Sequence, residues 1–390
     1  MLKKILISVV LIAAIGISIF FILDMKISIG HSKRNDIGKF KTELTDPHLI
    51  AIKKSEHFLI GFQESDGYFC KGILAPQPAI TCLVLDAFLT EKDPELLNQA
   101  FYKKGMKAVF RCKQPDGGFY NSKFLNMANY CTNLAIMTMS KSNPDLYAQD
   151  IKKAANFVKS SQLTGQDYAG GFGYNTDSSK ADLSNTTASL ESLKTAGELD
   201  EETKKKAIKF IELCQNNSET NKKAWASNDK SFIYRPGNSK AGEYTENGQK
   251  RYRGYGLMTY AGILSMIYAD LGKDDPRVKG AMEWVSKNFN LTNNVNLGQK
   301  GLYYYYVTMA KALDAYGQEK IFTDDGNIHY WAKEMIDVII SKQRKDGGFK
   351  NTKEDMWLEG DEVLVTAYML KTMKICYKNI QKSKSKTSIK

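Results

Sequence analysis

The chain has 390 residues, 43% of them hydrophobic, which is enough to bury a large core. Its formal net charge is +12, but the seven lysines between Lys371 and Lys390, with Lys3 and Lys4, supply most of the excess. The nearly balanced body argues against a nucleic-acid partner. The six cysteines form no Cys-x-x-Cys pair and the four histidines no His-Glu-x-x-His motif, so we predict neither a metal site nor a cofactor.

An uncharged run of 19 residues, from Ile5 to Leu23, follows a short basic stub. As a helix it would be about 28 Å long, which is enough to cross the hydrocarbon core of a bilayer. We predict that residues 1–25 form a transmembrane helix, or a cleaved signal segment if Ser28-Ile29-Gly30 is processed. Membrane contact through residues 5–23 and a linker over 26–46 follow from this prediction.

The charges around this segment favour opposite orientations. Five basic residues between Lys26 and Lys41 would keep the following body on the inner side. A short basic stub before an apolar run is, in contrast, the usual layout of an export signal. We predict a membrane-anchored protein whose body is exported, and therefore periplasmic or extracytoplasmic.

One phrase recurs after Asp46: a helical stretch that ends in Gln, a Gly-aromatic turn and a second, more apolar helix. Its clearest instances are Gln114-Pro115-Asp116-Gly117-Gly118-Phe119 and Gln343-Arg344-Lys345-Asp346-Gly347-Gly348-Phe349. Further instances begin at Gln63, Gln162 and Gln215. In one more unit the turn has diverged from this motif, and it ends at Gly301-Leu302-Tyr303. The first three intervals between these glutamines are 51, 48 and 53 residues, and the last, of 128, spans two units. Six repeated units are predicted.

The two helices of each unit differ in composition. The first is amphipathic and rich in lysine, as in Ile151–Ser161, whereas the second is apolar on all sides and must be buried. This indicates an outer and an inner ring of helices. We predict outer helices near 47–63, 96–113, 146–162, 200–215, 276–289 and 328–343, and inner helices near 78–90, 129–141, 183–196, 256–271, 302–316 and 361–376.

The repeats are predicted to close into a ring over residues 47–376, with an insert at 216–254 and a basic tail at 377–390. The competing architecture is an open solenoid, which would need capping repeats at its ends. Closure should bring apolar residues of the first and last inner helices together, such as Leu83 and Leu85 against Val365 and Met369.

The repeated Gln-x-x-Asp-Gly-Gly-Phe phrase resembles the repeat of squalene cyclases and protein prenyltransferases over roughly residues 47–376. Several stretches resemble bacterial prenyltransferase/squalene oxidase repeat proteins: Gly171-Phe172-Gly173-Tyr174, Asp182-Leu183-Ser184-Asn185-Thr186, Tyr255-Gly256-Leu257-Met258-Thr259-Tyr260-Ala261-Gly262, Gly301-Leu302-Tyr303-Tyr304-Tyr305-Tyr306 and Trp357-Leu358-Glu359-Gly360-Asp361. The resemblance implies an all-α fold, an (α/α)6 toroid of six helical hairpins. It also implies a deep central cavity in which aromatic side chains from the N-termini of the inner helices hold isoprenoid chains.

The sequence departs from both chemistries of the superfamily. Squalene-type cyclases protonate their substrate with an Asp-x-Asp-Asp motif, but Asp274-Asp275 and Asp324-Asp325 lie outside the predicted inner helices. Protein prenyltransferases hold zinc in their later repeats. In the later repeats of this chain the only histidine is His329, which lies at the start of an outer helix.

Three carboxylates are the candidate catalytic residues: Asp361, Asp182 and Glu359. Asp182 precedes an inner helix, where it could either cap the helix or act as an acid at the cavity mouth. Asp361 begins the last inner helix beside Glu359 and Glu362, and repulsion within this cluster should raise the pKa of one member. The alternative is a solvated cap of the helix.

The candidate substrate-binding residues are mostly aromatic and lie near the starts of inner helices: Tyr130, Asn185, Tyr255, Tyr260, Tyr303, Tyr304 and Trp357. Aromatic faces could stabilise a carbocation, although core packing is the alternative role of each. Because Tyr303–Tyr306 occupy one helical turn, only one or two of them can point at the axis. The insert contains Arg235, Arg251 and Arg253, and it could be a lid, a diphosphate-facing loop or simply a long loop.

Two functions are therefore predicted from different classes. The first is a terpenoid cyclase-like or prenyltransferase-like protein that binds or transforms an isoprenoid, or another hydrophobic small molecule, in a central aromatic cavity. The alternative is a non-catalytic, envelope-tethered toroid that binds a lipid, glycan or protein.

Overall fold

The computed structural model describes residues 45–387, apart from 71–76, 91–92, 94, 124 and 177–178. The predicted membrane span at 5–23 and most of the linker lie outside these residues. Of the helices described, none is both long and apolar enough to cross a bilayer.

Twelve α-helices within the described residues form six consecutive pairs. The first helices of the pairs are α1 (Pro47–Ile60), α3 (Ala100–Phe110), α5 (Ala148–Ser160), α7 (Glu201–Cys214), α9 (Pro276–Asn288) and α11 (Trp331–Ser341). Their partners are α2 (Pro78–Phe88), α4 (Ala128–Ser142), α6 (Leu183–Thr195), α8 (Gly256–Tyr268), α10 (Leu302–Tyr316) and α12 (Glu362–Thr387). Short 3-10 helices cover Leu96–Asn98, Leu125–Met127, Gln166–Tyr168 and Met356–Leu358.

The even-numbered helices form a closed inner ring. Each packs against the next, in the order α2, α4, α6, α8, α10 and α12, and α12 packs against α2. The outer helices α3, α5, α7 and α9 each pack on the inner helix that precedes them, and α1 packs in the same way on α12 and also contacts α11. The prediction of an all-α toroid is confirmed.

The inner helices are buried on nearly all sides, as their apolar composition indicates. The outer helices bury one face only; in α5 the residues inside are Ile151, Ala154, Ala155, Phe157 and Val158. All six cysteines lie in the described residues and are buried thiols. The last inner helix differs from its predicted bounds, because α12 continues beyond Cys376 through the basic segment to Thr387.

Four of the five repeated Gln residues tie their own unit to the next one. The amide of Gln162 donates to the carbonyl oxygen of Gly170 in its own turn (2.9 Å) and to that of Thr203 in the next outer helix (3.1 Å). Gln63 makes the same two kinds of bond, to Gly67 and Phe101. At these positions the Gln is a clamp between units, whereas Gln114, among the described residues, donates only within its own turn, to Cys112 and Tyr120.

The turn residues recur because each occupies a constrained position. Gly170 has φ +89°, and a Cβ there would lie 1.9 Å from the carbonyl oxygen of Lys206 in the next outer helix. Asp346 accepts a bond from the backbone of Gly348 at 3.0 Å, which makes it a turn former. The Phe349 amide donates to Thr366 of the following inner helix at 2.8 Å.

The seam between the last and first units uses the same contacts and adds charges. Lys371 of α12 pairs with Asp86 of α2, and Lys374 pairs with Glu56 of α1 at 2.8 Å. Leu85, Val365 and Met369 are fully buried, while Leu83 keeps some exposure. The predicted seam named apolar residues; the observed one also contains buried ion pairs.

Two small antiparallel hairpins complete the fold. Strands β1 (Glu243–Glu246) and β2 (Gln249–Tyr252) lie in the insert, with Glu243 opposite Tyr252. Strands β3 (Ile321–Phe322) and β4 (Ile328–His329) join α10 to α11. Neither hairpin belongs to the ring itself.

Candidate functional site

Tyrosines from non-adjacent inner helices meet across the ring axis. The hydroxyl of Tyr304 on α10 hydrogen-bonds to that of Ser184 on α6 at 2.9 Å, although α8 lies between these helices in the ring. The ring of Tyr304 also contacts that of Tyr368 on α12, with centroids 5.6 Å apart. Burial raises the pKa of Tyr130 on α4, and Tyr368 and Tyr304 are the next contributors, so they are its neighbours. We call Tyr130, Ser184, Tyr304 and Tyr368 the tyrosine layer.

On three of the inner helices, a stripe of a few positions on one face keeps some solvent exposure. On α6 it contains Ser184 and Ala188, while every other residue from Leu183 to Leu193 is buried. On α10 it contains Tyr304 and Lys311, and on α12 it contains Tyr368. Residues four and seven apart share one helix face, so each stripe is the face turned towards the axis.

Charged residues meet further along the axis, and sequence reasoning missed them. We call this set the axial ion cluster, and it takes one residue from each inner helix: Asp86, Lys141, Glu191, Tyr268, Lys311 and Lys371. Lys311 pairs with Glu191 across α8, and Asp86 is shared by Lys141 and Lys371. Although burial opposes ionisation, these lysines hold the pKa of Asp86 well below its ordinary value.

Asp182 is the N-cap of α6, two residues before Ser184 of the tyrosine layer. Its carboxylate accepts bonds from the backbone and the side-chain amide of Asn185, at 2.9 and 2.8 Å. Burial raises its pKa, and this effect outweighs the bonds from Asn185 and Tyr234 and the charge of Arg235. Asp182 is also the largest influence after burial itself on the raised pKa of Tyr174, so it lies among tyrosines.

Asn185 is buried beside this acid and keeps one unused acceptor. Its side chain is 1% exposed, and its Oδ1 atom has no hydrogen-bond partner among the described residues. A hydroxyl donor could therefore bind here. The neighbouring Tyr234, which donates to Asp182, was not predicted from the sequence because it lies in the insert.

Glu359 caps the N-terminus of α10 from the loop before α12. One carboxylate oxygen accepts from the backbone amides of Tyr303 and Tyr304, both at 2.8 Å, and the other accepts from Asn351 at 2.8 Å. Burial raises the pKa of Glu359 to about 7, although these hydrogen bonds act to lower it. The predicted cause, repulsion among neighbouring carboxylates, was wrong for this residue, because burial dominates and the Asp361 charge is not among the causes.

Asp361 caps α12 by accepting from the backbone amide of Leu364 at 2.8 Å. Burial raises its pKa first, and the charge of Glu362 adds to the rise. Burial raises the pKa of the Cys70 thiol, and the charge of Asp361 is the next cause, so the two side chains are neighbours. Among the described residues, no hydrogen bond or ion pair joins Asp361 to the tyrosine layer.

The other predicted aromatic residues do not meet at the axis. Tyr260 is 1% exposed and packs edge-on against Tyr305, with ring centroids 5.7 Å apart. Tyr303 is also buried; its hydroxyl donates to the carbonyl oxygen of Lys350 at 3.3 Å, and burial raises its pKa to about 12. Of the four consecutive tyrosines only Tyr304 joins the layer.

Tyr255 and Trp357 occupy two further positions. Tyr255 is a buried N-cap residue of α8, and Asp182 is the next cause after burial of its raised pKa. Trp357 is 41% exposed at φ +58°, and its ring covers Gly301. The following Leu358 also has positive φ, so the loop that delivers Glu359 is strained.

The insert lines a second, polar cleft beside α9. The cleft has a volume of about 410 Å³, and its lining includes Arg253, Lys230, Glu283, Trp284 and Lys287. Arg253 lies over the ring of Tyr244 at 5.1 Å. The other insert arginines are placed elsewhere: Arg251 donates to backbone carbonyls of the insert, and Arg235 lies over Tyr234.

The described residues include no group of three or more His, Cys, Asp or Glu side chains that could hold a metal ion. His329 pairs with Glu334 at 2.7 Å.

A closed ring of six helix pairs, with side chains gathered on its axis, defines an α/α toroid. The sequence matches the model of the prenyltransferase alpha-alpha toroid domain over residues 20–211, 183–355 and 298–390, and the chain belongs to this family. Among curated proteins, no sequence matches it significantly.

Solved structures share the fold at low sequence identity. The type II terpene cyclase MstE from Scytonema is 10% identical, with a TM-score of 0.53 over 85% of this chain and 99% of its own. An MstE variant in complex with geranylgeranyl dihydroxybenzoate, its substrate, is 11% identical, with a TM-score of 0.52 over 85% and 98%. The GH76A alpha-1,6-mannanase from Salegentibacter is 12% identical, with a TM-score of 0.53 over 86% and 100%. Because a cyclase and a mannanase share this fold, the site must decide the chemistry.

Proposed function

We propose that the toroid binds an isoprenoid, or a similar hydrophobic molecule, along its axis against the rings of the tyrosine layer. The observation that carries this proposal is the meeting of partly exposed Tyr130, Tyr304 and Tyr368 across an axis whose helices are otherwise buried. Aromatic rings in such a position offer apolar contact area to a branched hydrocarbon. The substrate named for the MstE complex is also prenylated, which supports the same ligand class.

If the protein also transforms its ligand, Asp182 is the best-placed acid. Its raised pKa keeps a larger protonated fraction near neutral pH, and it is the predicted carboxylate that lies among tyrosines. Tyr130 and Tyr304 would stabilise a cation on the axis by about 0.5–2 kcal/mol per ring. Glu359 is bonded to three donors, so its role is to cap α10.

The test is to incubate the full chain, solubilised in detergent, with squalene and with C10–C35 prenyl diphosphates. Bound molecules and products are then identified by mass spectrometry. Binding that weakens about tenfold in Tyr304→Ala, but not in the exposed off-axis control Tyr330→Ala, supports the proposal. Failure of every isoprenoid to bind would overturn it.

The variant Asp182→Asn separates catalysis from binding. Its side-chain carbonyl can still cap α6, and a rotated Asn185 amide, whose Oδ1 is unused, can accept from the new amide. Loss of product with retained binding identifies an enzyme that uses this acid. Binding without product in the unmodified protein identifies a binding toroid.

A second candidate function rests on the polar cleft of the insert. Its charged and amide lining, with Trp284 and Tyr244, suits a hydrophilic partner such as a glycan better than a terpene. This observation favours the alternative of a non-catalytic binding toroid. Binding of soluble oligosaccharides that is lost in Arg253→Ala and is independent of Tyr304 would support it.

We also propose that residues 5–23 tether the protein to a membrane and that its body is exported. The apolar length of the segment supports the tether, and the short basic stub before it supports export. Membrane fractionation, with protease treatment of cells whose outer layers have been removed but whose inner membrane is intact, measures both points. A body that resists protease until the inner membrane is lysed would contradict export.

A further inference from the structure

The axial ion cluster contains more positive than negative charge. It has three ammonium groups, from Lys141, Lys311 and Lys371, and two carboxylates, from Asp86 and Glu191. The hydroxyl of Tyr268 adds a polar neighbour to Glu191 without a charge. The cluster therefore carries one unmatched positive charge at the centre of the ring.

Charges on the surrounding elements do not neutralise this excess. Lys374 pairs with Glu56 at 2.8 Å, and Lys378 pairs with Asp314 at 2.6 Å. Glu56 also pairs with the more exposed Lys53 at 2.8 Å, so these neighbouring groups supply no spare negative charge. Since a buried ion without a counter-charge is costly, the excess is a feature that requires an explanation.

The cluster is reached from the tyrosine layer along one helix face. Lys311 lies seven residues after Tyr304 on the exposed stripe of α10, about 10 Å along the helix at ~1.5 Å per residue. Ala188, between Ser184 and Glu191 on α6, is small and partly exposed. Burial lowers the pKa of Lys311. The charge of Glu191 opposes this effect, while the charges of Lys371 and Lys141 add to it.

We propose that the axial ion cluster is the binding site for an anionic head group of the ligand. The ligand class is an amphiphile with a carboxylate or a phosphate at one end and an isoprenoid-type tail. Its head binds Lys311 at the floor of the axis and its tail lies between the rings of the tyrosine layer. This inference rests on the proposed binding of a hydrophobic molecule along the axis.

The chemistry of the cluster favours one added anion. A carboxylate or phosphate oxygen near Lys311 would match the third ammonium group, and charge-assisted hydrogen bonds are the strong class. A neutral alcohol with the same tail would leave the excess unmatched. For the ligand to reach the floor, the contact of Tyr304 with Ser184 must open.

The experiment measures binding of three C15 probes to the full chain by isothermal titration calorimetry in detergent: farnesoic acid, farnesyl monophosphate and farnesol. We expect at least one anionic probe to bind about tenfold or more tightly than the alcohol. Comparison of the acid with the phosphate then distinguishes the two head groups. The affinity of both anionic probes should fall as the salt concentration rises. This fall should be less steep than at an exposed site, because buried charges are screened less.

Two variants of the cluster should change the affinity for the anionic probes in opposite directions. Lys311→Met removes the excess charge and should bring the anionic probes to the affinity of farnesol. Glu191→Gln frees Lys311 from its partner and should tighten binding of the anions. The matched control is Lys333→Met, which removes a lysine of an exposed i,i+4 pair with Asp337 and should change nothing. If Lys311→Met fails to fold, Lys311→Gln keeps a donor for Glu191 and serves instead.

Two failures can be told apart. If all three probes bind equally, or if the ratio of acid to alcohol is unchanged in the Lys311 and Glu191 variants, the cluster is a structural charge network and the inference is overturned. If no probe binds at all, the proposed function itself fails.

Discussion

The side-chain amide of Gln343 donates to the carbonyl oxygen of Ala51, 292 residues earlier in the chain, at 2.8 Å. It also donates to Gly347 in its own turn at 3.2 Å. Gln162 joins the third unit to the fourth in the same way. The seam that closes the ring is therefore held by the same clamp as an internal boundary.

Replacing this clamp should destabilise the protein although it lies near the end of the toroid. Gln343→Ala leaves the carbonyl oxygens of Ala51 and Gly347 without this donor, and we expect a loss of about 1–3 kcal/mol in the free energy of unfolding. Gln162→Ala should cost a similar amount. Denaturant unfolding measures both, with the exposed Gln249→Ala as control. A Gln343→Ala variant as stable as the control would show that the seam contributes nothing.

The turn glycines allow the effects of backbone and packing to be separated. Gly170 and Gly197 both have positive φ, but only Gly170 lies against a neighbouring carbonyl, that of Lys206. Gly197→Ala should cost about 1 kcal/mol, from the left-handed backbone alone. Gly170→Ala should cost several times more or prevent folding, as measured by thermal unfolding and soluble yield. Equal losses would contradict the close packing of the turn.

Removal of the last unit should destroy the fold rather than shorten it. Deletion of 328–390 exposes the apolar flanks of α1, α2 and α10, which contact α11 and α12 in the intact ring. We expect aggregation, because a large apolar area would be returned to water. The measurement is light scattering and size-exclusion chromatography after expression. A soluble truncation that unfolds cooperatively would instead indicate an open solenoid.

The shared carboxylate at the seam should be among the most sensitive positions of the core. Asp86→Asn leaves Lys141 and Lys371 without their counter-charge, and breaking a buried pair costs about 3–5 kcal/mol. Adding Lys371→Met to Asp86→Asn removes one of the two stranded charges and should recover part of the loss. The double-mutant cycle, followed by denaturant unfolding, tests this. Additive losses would mean that the two residues do not interact.

The pKa of Glu359 predicts a dependence of stability on pH. Because its pKa rises from 4.5 in the unfolded chain to about 7 in the folded protein, the folded state holds the proton more tightly between these values. Stability contributed by this group is therefore present below pH 4.5 and is lost as the pH rises through 7, by up to about 3 kcal/mol.

The comparison with Glu359→Gln isolates this group from other titrating residues. The amide keeps one acceptor for the backbone of Tyr303 and Tyr304 but opposes the Asn351 amide, which gives a loss that does not vary with pH. The difference in unfolding free energy between the two proteins should change across pH 4.5–7. A constant difference would contradict the raised pKa.

The fold was predictable because the units build their turns and helix contacts with the same residue types at the same positions. Gln162, Gly170 and Phe172 occupy positions where the bond or the backbone permits few alternatives, so a single sequence shows the period. The end of α12 was not predictable in this way. A lysine-rich segment resembles a solvated tail, and pairs such as Lys378 with Asp314 become visible only when the ring has closed.

The site was predictable only in part for a related reason. The N-termini of the inner helices were identified, but which of Tyr303 and Tyr304 faces the axis depends on how packing rotates α10. The axial ion cluster was missed because its members are spread over six helices, one from each. Whether Asp182, Asp361 and Glu359 are catalytic stays a prediction.

The start and the end of the ring meet on one side of the molecule. The hydroxyl of Tyr377 lies 3.3 Å from the carboxylate of Asp46, and the ring of Tyr377 packs edge-on against that of His48. A short linker could therefore join the two ends and new termini could be opened at another turn, such as that after Gln162. Because the seam carries the same Gln clamp as the boundaries at Gln63, Gln162 and Gln215, such circular permutants should keep the native ring, and any of these boundaries becomes a possible place to cut the chain in engineering this protein.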